Sequence, residues 1–277
     1  MPVLTILKYF TLHDDNLVSL CMYKNKKIAL VIRAFNEENF IPMVVNSVPD
    51  FVDRGYLVND ASTDKTFDIM CNFSQRDQRF VVISHNIRKG AGAAAITGMK
   101  QALRDDIDIV AIVDGDGQMF VSILDRFLDP LVSGNVDYVK GNRLSQREHR
   151  REMPIGRVFG NFMLTHLTRI ASGYWHISDP QNGYTAISKQ ILEKINLDSI
   201  DKGFAFENDM LVKLKIAGAR VANIPHQAIY RGQNSKIRYP SFVLNTSWLL
   251  LRDFTWRIYT QYFDGRIDHS NDKVNGH

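Results

Sequence analysis

Cysteine is nearly absent from this chain: Cys21 and Cys71 are its two examples in 277 residues. No Cys-x-x-Cys occurs, which excludes a disulfide framework and a zinc-thiolate site of ordinary spacing. Two reduced thiols in a cytoplasmic protein are the expectation. The eight histidines are scattered without metal-ligand spacing. Long hydrophobic runs are missing too. The most apolar late stretch, Phe242 to Leu251, is about half of the ~20 residues a spanning helix needs. Arg252, Asp253 and Arg257 then interrupt it. At the start, Met1 to Phe10 is apolar, but His13, Asp14 and Asp15 follow with no basic leader or small-residue cleavage site. No signal peptide is therefore expected. No low-complexity tract or repeat appears. The expectation is a soluble protein or one peripheral on the cytoplasmic face of a membrane. The net charge of +4 fits an anionic substrate or a membrane surface and selects neither. No nucleic-acid partner is expected.

What is present is a repeating alternation. Ile28 to Ile32, Tyr56 to Val58, Phe80 to Ile83, Asp108 to Val113 and Asp137 to Gly141 are short apolar runs that predict buried strands. Phe40 to Val48, Thr66 to Ser74 and Ala93 to Leu103 have helical spacing between them. Ser62 or Thr63 is expected to cap the second of these helices. Such alternation predicts an α/β fold with a mostly parallel central sheet. Later, Gly156 to Ile170 and Phe206 to Ala217 read as helices, Ser178 to Ile187 as turn then strand, and Val221 to Ile224 as a strand. Three parts follow: an N-terminal extension over 1–27, an α/β domain over 28–236 and a C-terminal amphipathic helical tail over 237–277.

Parallel sheets bind ligands beyond the carboxyl ends of their strands. Asn36-Glu37, Asn59-Asp60, Arg88-Lys89 and Asp114 to Asp116 all fall there. Asp114-Gly115-Asp116-Gly117-Gln118 places two carboxylates and a further oxygen donor where they can approach one hard cation, Mg²⁺ or Mn²⁺. Such an ion would neutralise a leaving nucleoside diphosphate. The alternative is a solvated Asp-Gly turn. Asp60 can bind a nucleotide hydroxyl or cap the next helix. Lys89 and Gly90 offer a cation and exposed backbone N–H groups to phosphate. Arg143, Arg147, Arg150, Arg151 and Arg157 suit a phosphate acceptor, or form a solvated basic loop. Asp179, Glu207 and Asp209 are candidate bases, should the acceptor be a sugar hydroxyl. In the tail, Trp248, Trp256, Tyr259 and Tyr262 beside Arg252 and Arg257 suit a membrane interface, a homo-oligomer contact or packing on the domain.

The segments Arg33 to Glu38, Val58 to Asp64, Asn86 to Ala91, Val113 to Gln118 and Gly141 to Arg143 together resemble the ordered motifs of family 2 glycosyltransferases. Asp179 to Tyr184 and Arg231 to Lys236 match later motifs of its dolichyl-phosphate mannose synthase and polyprenyl-phosphate branch. The resemblance implies a GT-A (Rossmann-like) fold, inversion at the anomeric carbon, and a UDP- or GDP-linked sugar donor. It implies donor contacts from Ala34, Phe35, Asn36, Glu37, Asp60, Lys89, Gly90, Asp114 and Gly115. Asp114, Asp116 and Gln118 would hold metal and diphosphate. Arg143, Arg157, Arg231, Ser235 and Lys236 would hold a polyprenyl phosphate. Arg33 stands where the family usually has proline, and Asn59 and Ala61 where it has an acid and glycine. A glycan hydroxyl as acceptor, with Asp179 or Glu207 as base, is the second reading. A binding protein or inactive partner subunit is the third.

Overall fold

The computed structural model describes residues 22–144, 155–227 and 239–262, with the side chains of 155–159, 161 and 239–241 excepted. Seven strands form one sheet: β1 (Ile28–Ala34), β2 (Arg54–Asn59), β3 (Phe80–Ser84), β4 (Ile109–Asp114), β5 (Tyr138–Asn142), β6 (Thr185–Ser188) and β7 (Val221–Pro225), ordered β3-β2-β1-β4-β6-β5-β7. β1 pairs in parallel with β2 and β4, β2 with β3, and β5 with β7. β6 runs antiparallel to both β4 and β5. The sheet is thus mostly parallel, as expected, with one reversed strand.

Side-chain alternation along β1 divides the core. Ile28, Leu30, Ile32 and Ala34 face a cluster with Val44 of α1 (Ile41–Asn46), Met70 of α2 (Thr66–Arg76) and Phe127 of α4 (Leu124–Val132). Ala29 and Val31 face the opposite cluster, with Ala95 and Met99 of α3 (Ala91–Arg104) and Met210 and Leu211 of α7 (Phe206–Ile216). Helices therefore cover both faces, the condition under which parallel strands stay buried. α4 carries Pro130 inside it, and no helix was expected there. It forms because Leu124, Phe127, Leu128 and Leu131 bury one stripe at helical spacing.

Two long helices, α5 (Ile155–Ser172) and α8 (Tyr239–Tyr262), sit outside α7. They share with it a cluster of Ala171, Val212 and Leu250, joined by Leu167, Ile216 and Phe254. The short α6 (Lys189–Leu192) follows β6 directly. Expected caps Ser62 and Thr63 do not cap α2. Asp64 Oδ1 accepts the Thr66 N–H at 3.0 Å instead, because Ser62 and Thr63 are both turned to Asn36. The thiol of Cys71 is free. Cys21 lies outside the described residues.

Candidate active site

All the expected polar clusters on described residues lie at one edge of the sheet. The ends of β1, β2, β3, β4 and β5 point the same way, so their following loops meet there. The reversed β6 begins at this edge, and the loop before it brings Asp179 to Gly183 alongside.

The loops after β1 and β2 are laced together. Asn36 has φ +54°, its N–H donates to Ser62 Oγ at 3.0 Å, and its Oδ1 accepts the Thr63 N–H at 2.8 Å. Glu37 N–H donates to Thr66 Oγ1 at 2.8 Å. Ala61, at a position where the resembled family has glycine, adopts φ +58°, a region that favours glycine. Phe35 lies under the Arg88 guanidinium at 3.9 Å. Asp60 is buried and accepts the N–H groups of Lys89 and Gly90, both at 2.8 Å. It also meets His85 Nδ1 at 2.8 Å. The backbone N–H groups of Lys89 and Gly90 are therefore not exposed for phosphate, as had been expected: a buried carboxylate requires compensating donors and takes them. Asp60 shapes that loop.

Asp114 ends β4, and Asp116 follows it in the turn. Burial, then the Asp114 charge and further the Glu37 charge, push the Asp116 carboxyl up to about 7, although the Gln118 N–H donates to it at 3.0 Å. Mutually repelling, desolvated carboxylates with hard oxygen donors fit a divalent cation. Among the described residues no group of three or more His, Cys, Asp or Glu could hold a metal ion. A two-carboxylate site completed by diphosphate and water oxygens matches the habit of Mg²⁺.

Arg33 was noted from sequence but given no role. Its buried guanidinium donates from Nε to Asp114 Oδ1 and from Nη2 to Glu207 Oε1, both at 2.5 Å. Glu207 opens α7 and is itself buried.

Past the end of β5, Arg143 grips Asp179 through Nε at 2.8 Å and Nη2 at 3.1 Å. Burial pushes the Asp179 carboxyl up, but the Arg143 guanidinium outweighs it and leaves it below the usual carboxylate range. Lys140 of β5 is fully buried and donates to the Asn182 carbonyl at 2.8 Å. Burial lowers its pKa to about 8, opposed by the charges of Glu207 and Asp179. Asp209 faces away from this edge, toward Lys213 at 3.2 Å and Asp253 of α8, and is pushed up to about 6, chiefly by burial. Arg157 falls in the first turn of α5, its side chain outside the description. Arg147, Arg150, Arg151, Arg231, Ser235 and Lys236 lie outside the described residues.

His226, which carries no sequence motif, joins the Asp179 cluster through Asn182. Its Nδ1 faces the Gln227 carbonyl at 3.0 Å and so carries the proton, since a carbonyl only accepts. Nε2 then accepts from Asn182 Nδ2 at 2.7 Å. The same amide donates to Asp179 Oδ2 at 3.2 Å. Burial lowers the His226 pKa from 6.5. Between that lowered value and 6.5 the unfolded chain binds a proton that the folded chain refuses. Stability from this group is complete above pH 6.5 and declines as pH falls below it. Urea titrations at neutral pH and near pH 5 should show the wild type losing more stability than His226→Gln. Equal losses would contradict the assignment.

The sequence model described as "Glycosyl transferase family 2" matches residues 29–196. A UDP-N-acetylglucosamine–dolichyl-phosphate N-acetylglucosaminyltransferase of Methanococcus voltae is 29% identical over 79% of this chain and 94% of its own length. A polyprenol monophosphomannose synthase of Mycolicibacterium smegmatis is 28% identical over 72% of this chain and 76% of its own. The solved structure of glucosyl-3-phosphoglycerate synthase from Mycobacterium tuberculosis, with Mn²⁺, UDP and phosphoglyceric acid, superposes with a TM-score of 0.61 at 20% identity, covering 84% of this chain and 78% of that one. The sheet is of the GT-A type. The chain belongs to glycosyl transferase family 2 and is a nucleotide-sugar-dependent glycosyltransferase.

Proposed function

We propose that this enzyme moves a sugar from a nucleoside diphosphate sugar to a polyprenyl phosphate, with inversion. The observation that carries this reading is the state of the three candidate bases. Glu207 is held by Arg33, Asp179 by Arg143, and Asp209 is turned to α8. A carboxylate whose oxygens are already taken by a guanidinium is not presented to a substrate hydroxyl. A phosphate monoester is already ionised at neutral pH and attacks without one. The relatives named for dolichyl-phosphate and polyprenol acceptors agree with this.

On this reading Asp114 and Asp116, with Gln118, hold Mg²⁺ or Mn²⁺ against the donor diphosphate. Bound there, the ion supplies Lewis-acid neutralisation of the leaving group. Ala34, Phe35, Asn36, Glu37, Gly115 and the Lys89 side chain would surround the UDP or GDP moiety, with Asp60 acting through the Lys89-Gly90 turn that it holds. Arg143, fixed in direction by Asp179, orients the acceptor phosphate, with Arg157, Arg231, Ser235 and Lys236. A phosphate oxygen forms the bond to the anomeric carbon from the face opposite the diphosphate. The old bond's electron pair leaves with the diphosphate.

The same reading places the enzyme peripherally on a membrane, at its cytoplasmic face, in keeping with the free thiol of Cys71. No helix among the described residues is long and apolar enough to cross a membrane. α8 also turns large apolar groups outward: beside Leu250 it buries Thr246, Asp253, Arg257 and Thr260, and it exposes Leu244, Trp248, Leu251, Tyr259 and Tyr262. Its single acid, Asp253, is 1% exposed, whereas the Arg252 side chain is 59% exposed. An outward face of aromatic and cationic groups complements an anionic lipid surface.

Incubation with UDP- and GDP-sugars and a short polyprenyl phosphate should yield a lipid-linked sugar. Asp116→Ala should lower the rate about a hundredfold or more. No product with any donor would sink the reading. In a flotation assay with anionic phospholipid vesicles, Trp248→Ala with Tyr259→Ala should weaken binding about tenfold. If the wild type floats no better than this variant, or the variant changes only self-association by sedimentation, the exposed face serves copies of the chain instead of lipid.

A further inference from the structure

Arg33 is the only charged residue of β1, and its side chain is 6% exposed. It lies directly across the β1–β4 pairing from Asp114, in the register that matches their Cα atoms. Parity sends it, with Ala29 and Val31, to the face covered by α3 and α7. There its fork reaches Asp114 with one nitrogen and Glu207 with another. Nη1 also reaches the Ala91 carbonyl at 3.4 Å, and the Phe206 ring lies 5.9 Å away. Gly183 is pressed against the pair: a Cβ there would stand 2.5 Å from Arg33 Nη2 and 2.8 Å from Asp114 Oδ2. The guanidinium is thus fenced by four separate segments, at Ala91, Asp114, Gly183 and Phe206-Glu207.

We infer that Arg33 is a positioning residue for the transfer reaction, a fixed internal cation that sets the posture of the donor-binding carboxylates. This rests on the reading of Asp114 and Asp116 as the cation site. By holding Oδ1, Arg33 leaves Asp114 to meet a cation through Oδ2. By holding Glu207, it makes that residue a counter-ion and anchors the start of α7 to the sheet edge. A permanent positive charge at hydrogen-bond distance from Asp114 weakens the attraction of the site for a second cation while fixing where it sits. Lysine, a single point charge, cannot fork between two carboxylates in this way.

The two consequences pull in opposite directions when Arg33 is removed, and a merely structural residue would not do that. In the full chain, Arg33→Met should bind Mn²⁺ about threefold or more tightly, read by electron paramagnetic resonance of free Mn²⁺ without nucleotide. Its kcat should nevertheless fall about tenfold or more, because Asp114 loses its orientation. Arg33→Lys should keep Mn²⁺ affinity near the wild-type value and recover part of kcat. Arg33→Met leaves Glu207 buried without its partner, so Arg33→Met with Glu207→Gln removes both charges and keeps the test usable if the single variant does not fold. It should bind Mn²⁺ at least as well as wild type and transfer as poorly as the single variant. Unchanged Mn²⁺ affinity and unchanged kcat in these variants would overturn the proposal. So would a joint fall of both. A wild type that binds no Mn²⁺ would overturn the cation-site reading beneath it. A wild type that binds Mn²⁺ yet transfers no sugar would overturn the reaction, while the Mn²⁺ measurements still decide on Arg33.

Discussion

Carboxylates gathered at the end of a buried sheet repel one another, and the fold must answer that repulsion with cations of its own. Asp114, Asp116, Glu37, Glu207 and Asp179 all stand at the carboxyl edge of the strands or beside it. Arg33, Lys140 and Arg143 are placed among them, two rising from strands and one just past a strand end. Each of the three has named partners: Arg33 holds Asp114 and Glu207, Lys140 the Asn182 carbonyl, Arg143 the Asp179 carboxylate. Burial of such groups is tolerable only when they are paired and hydrogen-bonded. Asp116 is the member whose carboxyl remains pushed up, chiefly by burial and by Asp114. That imbalance is what a divalent cation with a diphosphate would relieve.

The same pairing separates two polar assemblies at this edge. In one, Asp60 gathers the Lys89-Gly90 turn, and Asn36 ties the β1 loop to the β2 loop. In the other, Asp179 takes Arg143, and Asn182 carries the connection on to His226 and, through its carbonyl, to Lys140. Gly183 lets the second assembly close on the Arg33–Asp114 pair of the first. The acids that a hydroxyl acceptor would require as bases are the ones taken up in this scaffolding. The proposed phosphate acceptor is consistent with this, since it needs no base.

The strands and most helices were legible because buried parallel strands are apolar runs and their helices have regular spacing. The polar clusters at strand ends were legible for the same reason. Asp60 was visible as a candidate, but not that it would take the Lys89 and Gly90 N–H groups, since that depends on the folded path of a loop 29 residues away. The cap on α2 was misread because Ser62 and Thr63 had a stronger claim from Asn36 across the site. The helix over Leu124–Val132 was hidden by Pro130. The role of Arg33 left a signal that parity could have caught: a lone charge in an otherwise apolar strand demands a partner, and its register neighbour is Asp114. Lys140 left the same signal in β5. The orientation of α8 was not legible, because which side of a mixed helix faces the protein is decided by Leu250 packing on α5 and α7 and by Asp253 and Arg257 finding partners there.

The central claim is that Asp114 and Asp116 hold a divalent cation against the diphosphate of a nucleotide sugar. The measurement that meets it most directly is calorimetric titration of the wild-type chain with UDP and with GDP, in Mn²⁺ and again in chelator. The account predicts that one nucleotide binds in Mn²⁺ and that its affinity falls about tenfold or more when the ion is removed. Equal affinity in the presence and absence of Mn²⁺ would contradict it.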